Sequence, residues 1–575
     1  MIIIKRFIFT LIFLVLTSFI SYHFFQPLYQ ATEVIISFGL NLSDICYDNP
    51  LIWKFIKISF IFFNIFSNFI IINSIILRFH IFEKNITHIK PATGINNTTQ
   101  LSKTDLQLLI GYNVSNNSKI YLPESGLYQN FLITGTIGTG KTSSAMYPFT
   151  KQLMTYQCQN NQKKLGMLIL DVKGNYYKQV LKYAKELHRE KDLISIDLNG
   201  HTFYNPLHKP DLKASVLANR LKTILLLFSP NNTESFWIDK VETVLMEAIK
   251  LCRLYNHGYV TFEEIHSLIL YPSYYQEKIH ILRNLFLHNA FSKEDIYQLL
   301  SSLNFFEKEY QSLDERTLSI LKSEITRITN LFISDYAVKE TFSPPLEKLN
   351  FTGFSDVIQS GKIVVLNMSI ADYKNLAKVL AAYLKLDFQT EVMNRLSRFD
   401  FSDRPVCFIS DEYAEYVTST DADFFAQSRE AKCINIVATQ SYTSLLNTIQ
   451  NDAAVKVILQ NLVNKLWFRT DDLYTIDIAQ KQIGKEEKKK ISTTISENAK
   501  ETKFNYLFNR FLSKDSNVSE SYNAYFQTDF IFDTHFFTQE LSTFSCLSFL
   551  SDGHKILSPQ KLDLIPYFHD HSTYF

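Results

Sequence analysis

The chain has 575 residues, 46% hydrophobic and 20% charged, enough to bury a large core and too apolar for a disordered polymer. Lys and Arg total 58 against 57 Asp and Glu, a net charge of +1, which excludes a globally basic nucleic-acid binder; contact with a phosphate backbone would have to come from a local groove or pore. The scattered cysteines (Cys46, Cys158, Cys252, Cys407, Cys433, Cys546) form no C-x-x-C pair and no His/Cys cluster, which excludes a zinc ribbon and fits reduced thiols in a mostly cytosolic protein.

Two apolar runs open the chain, Phe7 to Phe25 and Ile58 to Leu77, each near the roughly 20 residues that cross a bilayer core, and both are expected to be transmembrane helices. No small-x-small site follows Ser18 to His23, which argues against a cleaved signal peptide. In the second run Asn64, Ser67 and Asn68 share one helical face, where they can hydrogen-bond to a neighbouring helix. Lys5 and Arg6 precede the first span and Arg78, Lys84 and Lys90 follow the second, while Gln26 to Pro50 contains no Lys or Arg. That asymmetry predicts both termini in the cytoplasm, with Lys54 and Lys57 snorkelling at the outer end of the second span. Residues 1–84 thus read as a membrane anchor with a short loop, 26–57, on the far side. Residues 85–107 read as a polar linker.

Strands then begin. Leu108 to Asn113 and Lys119 to Pro123 form a short pair, and Phe131 to Ile133 runs into Gly135-Thr-Ile-Gly138-Thr-Gly140-Lys141-Thr142-Ser143. A strand, this glycine spacing and a following helix are the context of a P-loop. Only 15 residues of the chain are Gly, so a chance match is improbable. The glycines let backbone N–H groups of Gly135, Thr136, Ile137, Gly138, Thr139 and Gly140 curl around phosphate oxygens. Lys141 is expected to reach the β and γ phosphates of ATP, and the Thr142 hydroxyl to hold Mg²⁺.

Gly166 to Asp171 and Asp192 to Leu198 continue the alternation of buried strands and helices that marks a parallel α/β sheet. From about Leu212 to Pro345 strand signals vanish and helical segments replace them (212–228, 234–255, 261–270, 277–287, 293–303, 318–332). Residues 108–211 and 346–575 therefore read as two halves of one nucleotide-binding domain, with 212–345 an all-α insertion. The sheet resumes at Lys362 to Asn367, Val406 to Glu412, Ile434 to Gln440 and Lys465 to Arg469.

Val406-Cys-Phe-Ile-Ser-Asp411-Glu412 is an apolar strand ending in two carboxylates. Asp411 is placed to complete the Mg²⁺ shell and Glu412 to polarise the attacking water. Gln440 ends the next strand, either as a γ-phosphate sensor or as a strand cap. Arg429, eleven residues earlier, is either a surface residue or, in a ring, a guanidinium offered to the neighbouring subunit's nucleotide. Lys485 to Lys490 is either a solvated charge run or a phosphate-contacting loop. Phe544 to Leu550 and Leu562 to Phe568 are apolar again and are expected to return to the core.

The ordered set Gly135 to Thr142, Asp171-Val-Lys-Gly174, Tyr204-Asn-Pro-Leu207, Phe236-Trp237, Asp411-Glu412 and Ala438-Thr-Gln-Ser441 resembles the type IV secretion coupling proteins of the TraG/TraD kind. The resemblance covers essentially the whole chain. It implies a RecA-like P-loop NTPase domain with an inserted all-α domain behind two N-terminal transmembrane helices. It implies a homo-hexameric inner-membrane ATPase that passes relaxase-bound single-stranded DNA, secreted proteins or both to the components of a secretion channel. Val172 and Asn175 depart from the family's usual Pro and Glu, which leaves the roles of Asp171 and Lys173 open. Two other readings stand beside it: a DNA translocase of the FtsK/HerA kind, and a membrane recruitment scaffold whose assembly is set by nucleotide.

Overall fold

Strand β3 (Phe131–Thr134), buried throughout, lies inside an eleven-stranded sheet. In chain order its companions are β1 (Gln107–Asn113), β2 (Lys119–Pro123), β4 (Gly166–Leu170), β5 (Leu193–Ile196), β6 (Ile363–Leu366), β7 (Val406–Ser410), β8 (Cys433–Thr439), β9 (Asn464–Phe468), β14 (Ser545–Phe549) and β15 (Gln560–Asp563). The spatial order is β2-β1-β15-β14-β9-β3-β8-β7-β4-β6-β5. From β9 to β5 all pairings are parallel, and from β2 to β9 all are antiparallel. Strands β10 (Lys485–Glu497), β11 (Thr502–Asn505), β12 (Arg510–Ser513) and β13 (Val518–Phe530) lie outside this sheet.

The structure, a computed structural model, describes residues 105–228, 235–288, 291–397, 403–497, 502–505, 510–513 and 518–569, with helical positions at Leu51, Phe55, Ile58, Ser59, Phe62 and Phe66. It divides into two units, Met1–Gln100 and Leu101–Phe575. The first expected membrane span and most of the second lie outside the described residues. Among the described residues no helix is long and apolar enough to cross a membrane.

The parallel strands are apolar on both faces because both are covered. In β3, Phe131 and Ile133 join one core with Met167, Ile169, Cys407, Ile409, Ile434 and Ile436, packed under the helices Tyr147–Thr155 and Tyr176–Glu186. Leu132 faces the opposite core with Leu168, Leu170, Phe408 and Val437. That second core runs without a break into helices between Ala214 and Phe342, so the helical region and the sheet share one apolar interior.

The helical region carries clear start signals. Thr261 and Ser292 each close a capping box, on helices Phe262–Leu270 and Lys293–Asn304, and Asp314 caps Glu315–Ile333. The helix expected from residue 277 begins instead at Pro272, because proline at the first turn has no N–H to lose and its φ already suits a helix. The helical region is fastened to the sheet domain through Asp387, on the helix Asn375–Asn394. Asp387 accepts from Lys209 at 2.6 Å, Arg220 at 2.8 Å and Tyr204 at 3.0 Å. The Tyr204-Asn-Pro-Leu207 segment is part of that joint, since Asn205 also donates to the Val260 carbonyl at 2.8 Å.

The charge run Lys485 to Lys490 is neither loop nor helix. It begins β10, which pairs antiparallel with β13 in an unbroken register from Lys485↔Phe530 to Glu497↔Val518. Ile491, Thr493, Thr494 and Ile495 favour this extended backbone, a preference that the polar composition of the stretch hides.

Candidate active site

The P-loop leaves β3 between two strand ends. Gly135 N donates to the Gln440 carbonyl beyond β8 at 3.2 Å, and Thr136 N donates to the Arg469 carbonyl beyond β9 at 2.9 Å. The loop is thus stitched to both neighbours. Gly140 sits at φ 97°, in the left-handed region, and a Cβ there would overlap the Phe544 ring; only glycine fits. From Lys141 the chain winds into one π-helical stretch, Lys141–Met146, before the regular helix.

The Lys141 ammonium is buried and turned back into its own loop, donating to the carbonyls of Gly135 and of Thr136, the latter at 3.1 Å. Burial pulls it below its ordinary pKa, although Glu412 and Asp411 oppose the shift. A cation held this way lacks a full counter-charge, which a phosphate chain would supply.

Thr142 donates its hydroxyl to Asp411 Oδ2 at 2.8 Å, joining the start of the P-loop helix to the end of β7. Burial raises the Asp411 carboxyl above its ordinary value; the Lys173 ammonium and the Thr142 hydrogen bond pull against this, and the Asp171 and Glu412 charges add to it. One hydroxyl and one carboxylate, both hard oxygen donors, fit a Mg²⁺ ion that keeps several waters.

Glu412 follows at φ 48°, ψ 44°, a left-handed conformation uncommon for a residue with a Cβ. Its carboxylate lies between two partners. Lys173 pairs with Oε1, and Gln440 donates to Oε2 at 3.4 Å. Burial works against the Lys173 charge, but the hydrogen bond to Glu412 and the Asp411 charge outweigh it and hold its pKa up.

Asp171 plays a different part from its neighbours. It accepts backbone N–H groups from Lys173 at 2.9 Å, Asn175 at 3.0 Å and Tyr176 at 3.1 Å. It therefore shapes the turn that presents Lys173 and opens the helix Tyr176–Glu186.

The structure brings Gly135 to Ser143, Asp411, Glu412 and Gln440 to one end of neighbouring strands. It leaves Arg429 elsewhere: Arg429 is exposed in the turn between the helix Asp421–Gln427 and β8, at the far end of the strand from Gln440. Sequence reasoning missed four contributors. The sequence leaves the role of Lys173 open, although its motif is visible. Arg469 reaches the P-loop only because β9 pairs with β3, which strand order alone reveals. Phe544 and Tyr567 close on the P-loop from the C-terminal segment, with Phe544 N donating to Thr139 O at 3.0 Å and Tyr567 N to Ser143 O at 2.9 Å. No local signal marks them.

A central parallel strand feeding a glycine nest, with an acidic strand end two strands away, defines the P-loop nucleotide-binding class. Among solved structures the chain shares the fold of the bacterial conjugative coupling protein TrwBdeltaN70 in its unbound form, at TM-score 0.51 and 11% identity, covering 79% of this chain and 88% of that one. Plasmid coupling protein TrwB in complex with ADP and Mg²⁺ gives TM-score 0.51 and 11% identity over 80% of this chain and 90% of that one. The complex of the same protein with the non-hydrolysable GTP analogue GDPNP gives the same four values. No family model and no curated protein matches the sequence. The chain thus has the fold of the conjugative coupling proteins.

Proposed function

We propose that this protein is a membrane-anchored ATPase that uses ATP and Mg²⁺ to drive substrate, relaxase-bound single-stranded DNA or secreted protein, into a type IV secretion or conjugation channel. The observation that carries this reading is the Thr142–Asp411 hydrogen bond with Glu412 beside it, set in a coupling-protein fold. Bound Mg²⁺ would neutralise charge on the β and γ phosphates, held by Thr142 and Asp411. Lys141 leaves its own carbonyls and neutralises the same oxygens. Glu412, released from Lys173, orients and deprotonates the attacking water, while Gln440 fixes its carboxylate.

The membrane anchor at 1–84, the inner-membrane location with both termini cytoplasmic, the homo-hexamer and the supply of Arg429 to a neighbour's site belong to the same proposal. Arg429 is exposed, which suits either a surface residue or one offered to a neighbouring subunit. The test is steady-state hydrolysis by the full chain in detergent, with and without single-stranded DNA. Lys141→Ala should abolish turnover, and Glu412→Gln should abolish it while keeping nucleotide binding. A Lys141→Ala protein as active as the parent overturns the reading, and binding without turnover in the parent favours the recruitment scaffold.

A further inference from the structure

The P-loop, Asp411 and Glu412 account for phosphates and a metal ion, but none of them can recognise a nucleobase. Their arrangement says where the base must go. Glu412 and Gln440 lie at the ends of β7 and β8, on one side of β3, so the phosphate to be cleaved faces that side. The nucleoside end then leaves toward the other side, where β9, β14 and β15 lie.

On that side the C-terminal segment is fixed to the P-loop by backbone bonds. Besides the bonds from Phe544 and Tyr567, Leu564 N donates to Phe544 O at 2.8 Å. Their rings gather into one cluster. Phe568 lies 6.0 Å from Phe544, 5.4 Å from Tyr567 and 5.1 Å from His569 between ring centroids, and Tyr567 lies edge-on to Tyr147 at 5.1 Å. Phe544 holds φ at 68°, in the left-handed region, which is costly for a bulky residue and persists only where surrounding structure enforces it. Phe568 is 60% exposed, although it is ringed by aromatic neighbours that would cover it if the core needed it. An exposed aromatic face beside a phosphate nest suits a flat heteroaromatic ring.

We infer, on the reading of the P-loop as a nucleotide site, that Phe568, backed by Phe544 and Tyr567, is the stacking platform for the base of the bound nucleoside triphosphate. The test compares a ligand with a base and one without: a non-hydrolysable ATP analogue and inorganic tripolyphosphate, each with Mg²⁺, titrated calorimetrically into the full chain in detergent. Loss of one base-stacking contact corresponds to about 5- to 150-fold in affinity. Phe568→Ala should weaken the ATP analogue by that factor and leave tripolyphosphate unchanged. Phe568→Trp should restore affinity, and its fluorescence should be quenched by the ATP analogue but not by tripolyphosphate. Equal weakening of both ligands, or of neither, overturns the platform. A Phe568→Trp signal that responds alike to both does the same. A parent that binds neither ligand removes the nucleotide reading, and the platform with it, whereas a parent that binds both with no effect at Phe568 removes the platform alone.

Discussion

Lys385 and Asp421 form an ion pair of 2.6 Å with both side chains fully buried, tied to the turn that follows Glu412 through the Tyr413 hydroxyl. The ammonium also donates to Tyr416 O at 2.8 Å and to Thr418 Oγ1 at 3.0 Å. Asp421 in turn accepts from Gln389 at 2.9 Å, Thr418 N at 3.0 Å and the Tyr413 hydroxyl. Every polar atom of the pair is engaged, which is the condition for such a pair to be tolerated in an interior. Removing one partner leaves the other charge uncompensated, so Lys385→Met should destabilise the protein by about 3–5 kcal/mol. The double variant Lys385→Met with Asp421→Leu should recover part of that. Denaturant midpoints followed by circular dichroism check both, and a single variant as stable as the double would contradict the account.

Much of this was legible in the sequence because parallel strands are written as apolar runs. Phe131 to Thr134, Val406 to Ser410 and Cys433 to Thr439 are buried on both faces, so composition alone announces them. The P-loop and the Asp411-Glu412 end were legible because their chemistry needs fixed spacing. Sequence pattern does not reveal which strands become neighbours. Lys173 meets Glu412 through the adjacency of β4 and β7, and Arg469 meets the P-loop through β9 and β3. Nor does polar composition announce a hairpin such as β10 and β13, whose pairing is a matter of register rather than of apolar content.

The Thr142–Asp411 contact predicts a metal-dependent defect. Thr142→Ala removes one of the two hard oxygen donors while leaving the P-loop backbone in place. Loss even of an outer-shell partner of a metal ligand typically costs about 10- to 100-fold in metal affinity or activity, and a direct donor should cost at least that. Hydrolysis should fall accordingly at limiting Mg²⁺ and recover partly as Mg²⁺ is raised. A variant with the parent's Mg²⁺ titration curve would show that the hydroxyl does not serve the metal.

Lys173 predicts a shift in pH dependence. Burial raises the Asp411 carboxyl, and the Lys173 ammonium is the first charge opposing that rise. Lys173→Met should therefore raise the Asp411 pKa further, so a higher pH is needed to ionise it for metal binding. The acid limb of the rate profile should move to higher pH. A pH series of initial rates at saturating ATP checks this, and an acid limb displaced to lower pH would reverse the assigned electrostatics.

In the helical region Glu264 predicts a pH-dependent stability separate from the nucleotide site. Burial raises its carboxyl to about 7, against hydrogen bonds from Thr261 and the Lys278 charge that favour ionisation. Between the unfolded value of 4.5 and the folded value of about 7, the folded state holds a proton that the unfolded state has released. Stability from this group is therefore present below pH 4.5 and lost as pH rises through 7. Glu264→Gln keeps an acceptor for the Thr261 N–H, which donates to the Glu264 carboxylate at 3.1 Å, but cannot ionise. The parent's unfolding free energy from denaturant titration should decline from pH 5 to pH 8 by an amount on the order of 1–2 kcal/mol, discounted for partial exposure. The Glu264→Gln protein should lose that part of the decline, and parallel slopes in the two proteins would show that Glu264 does not titrate on folding.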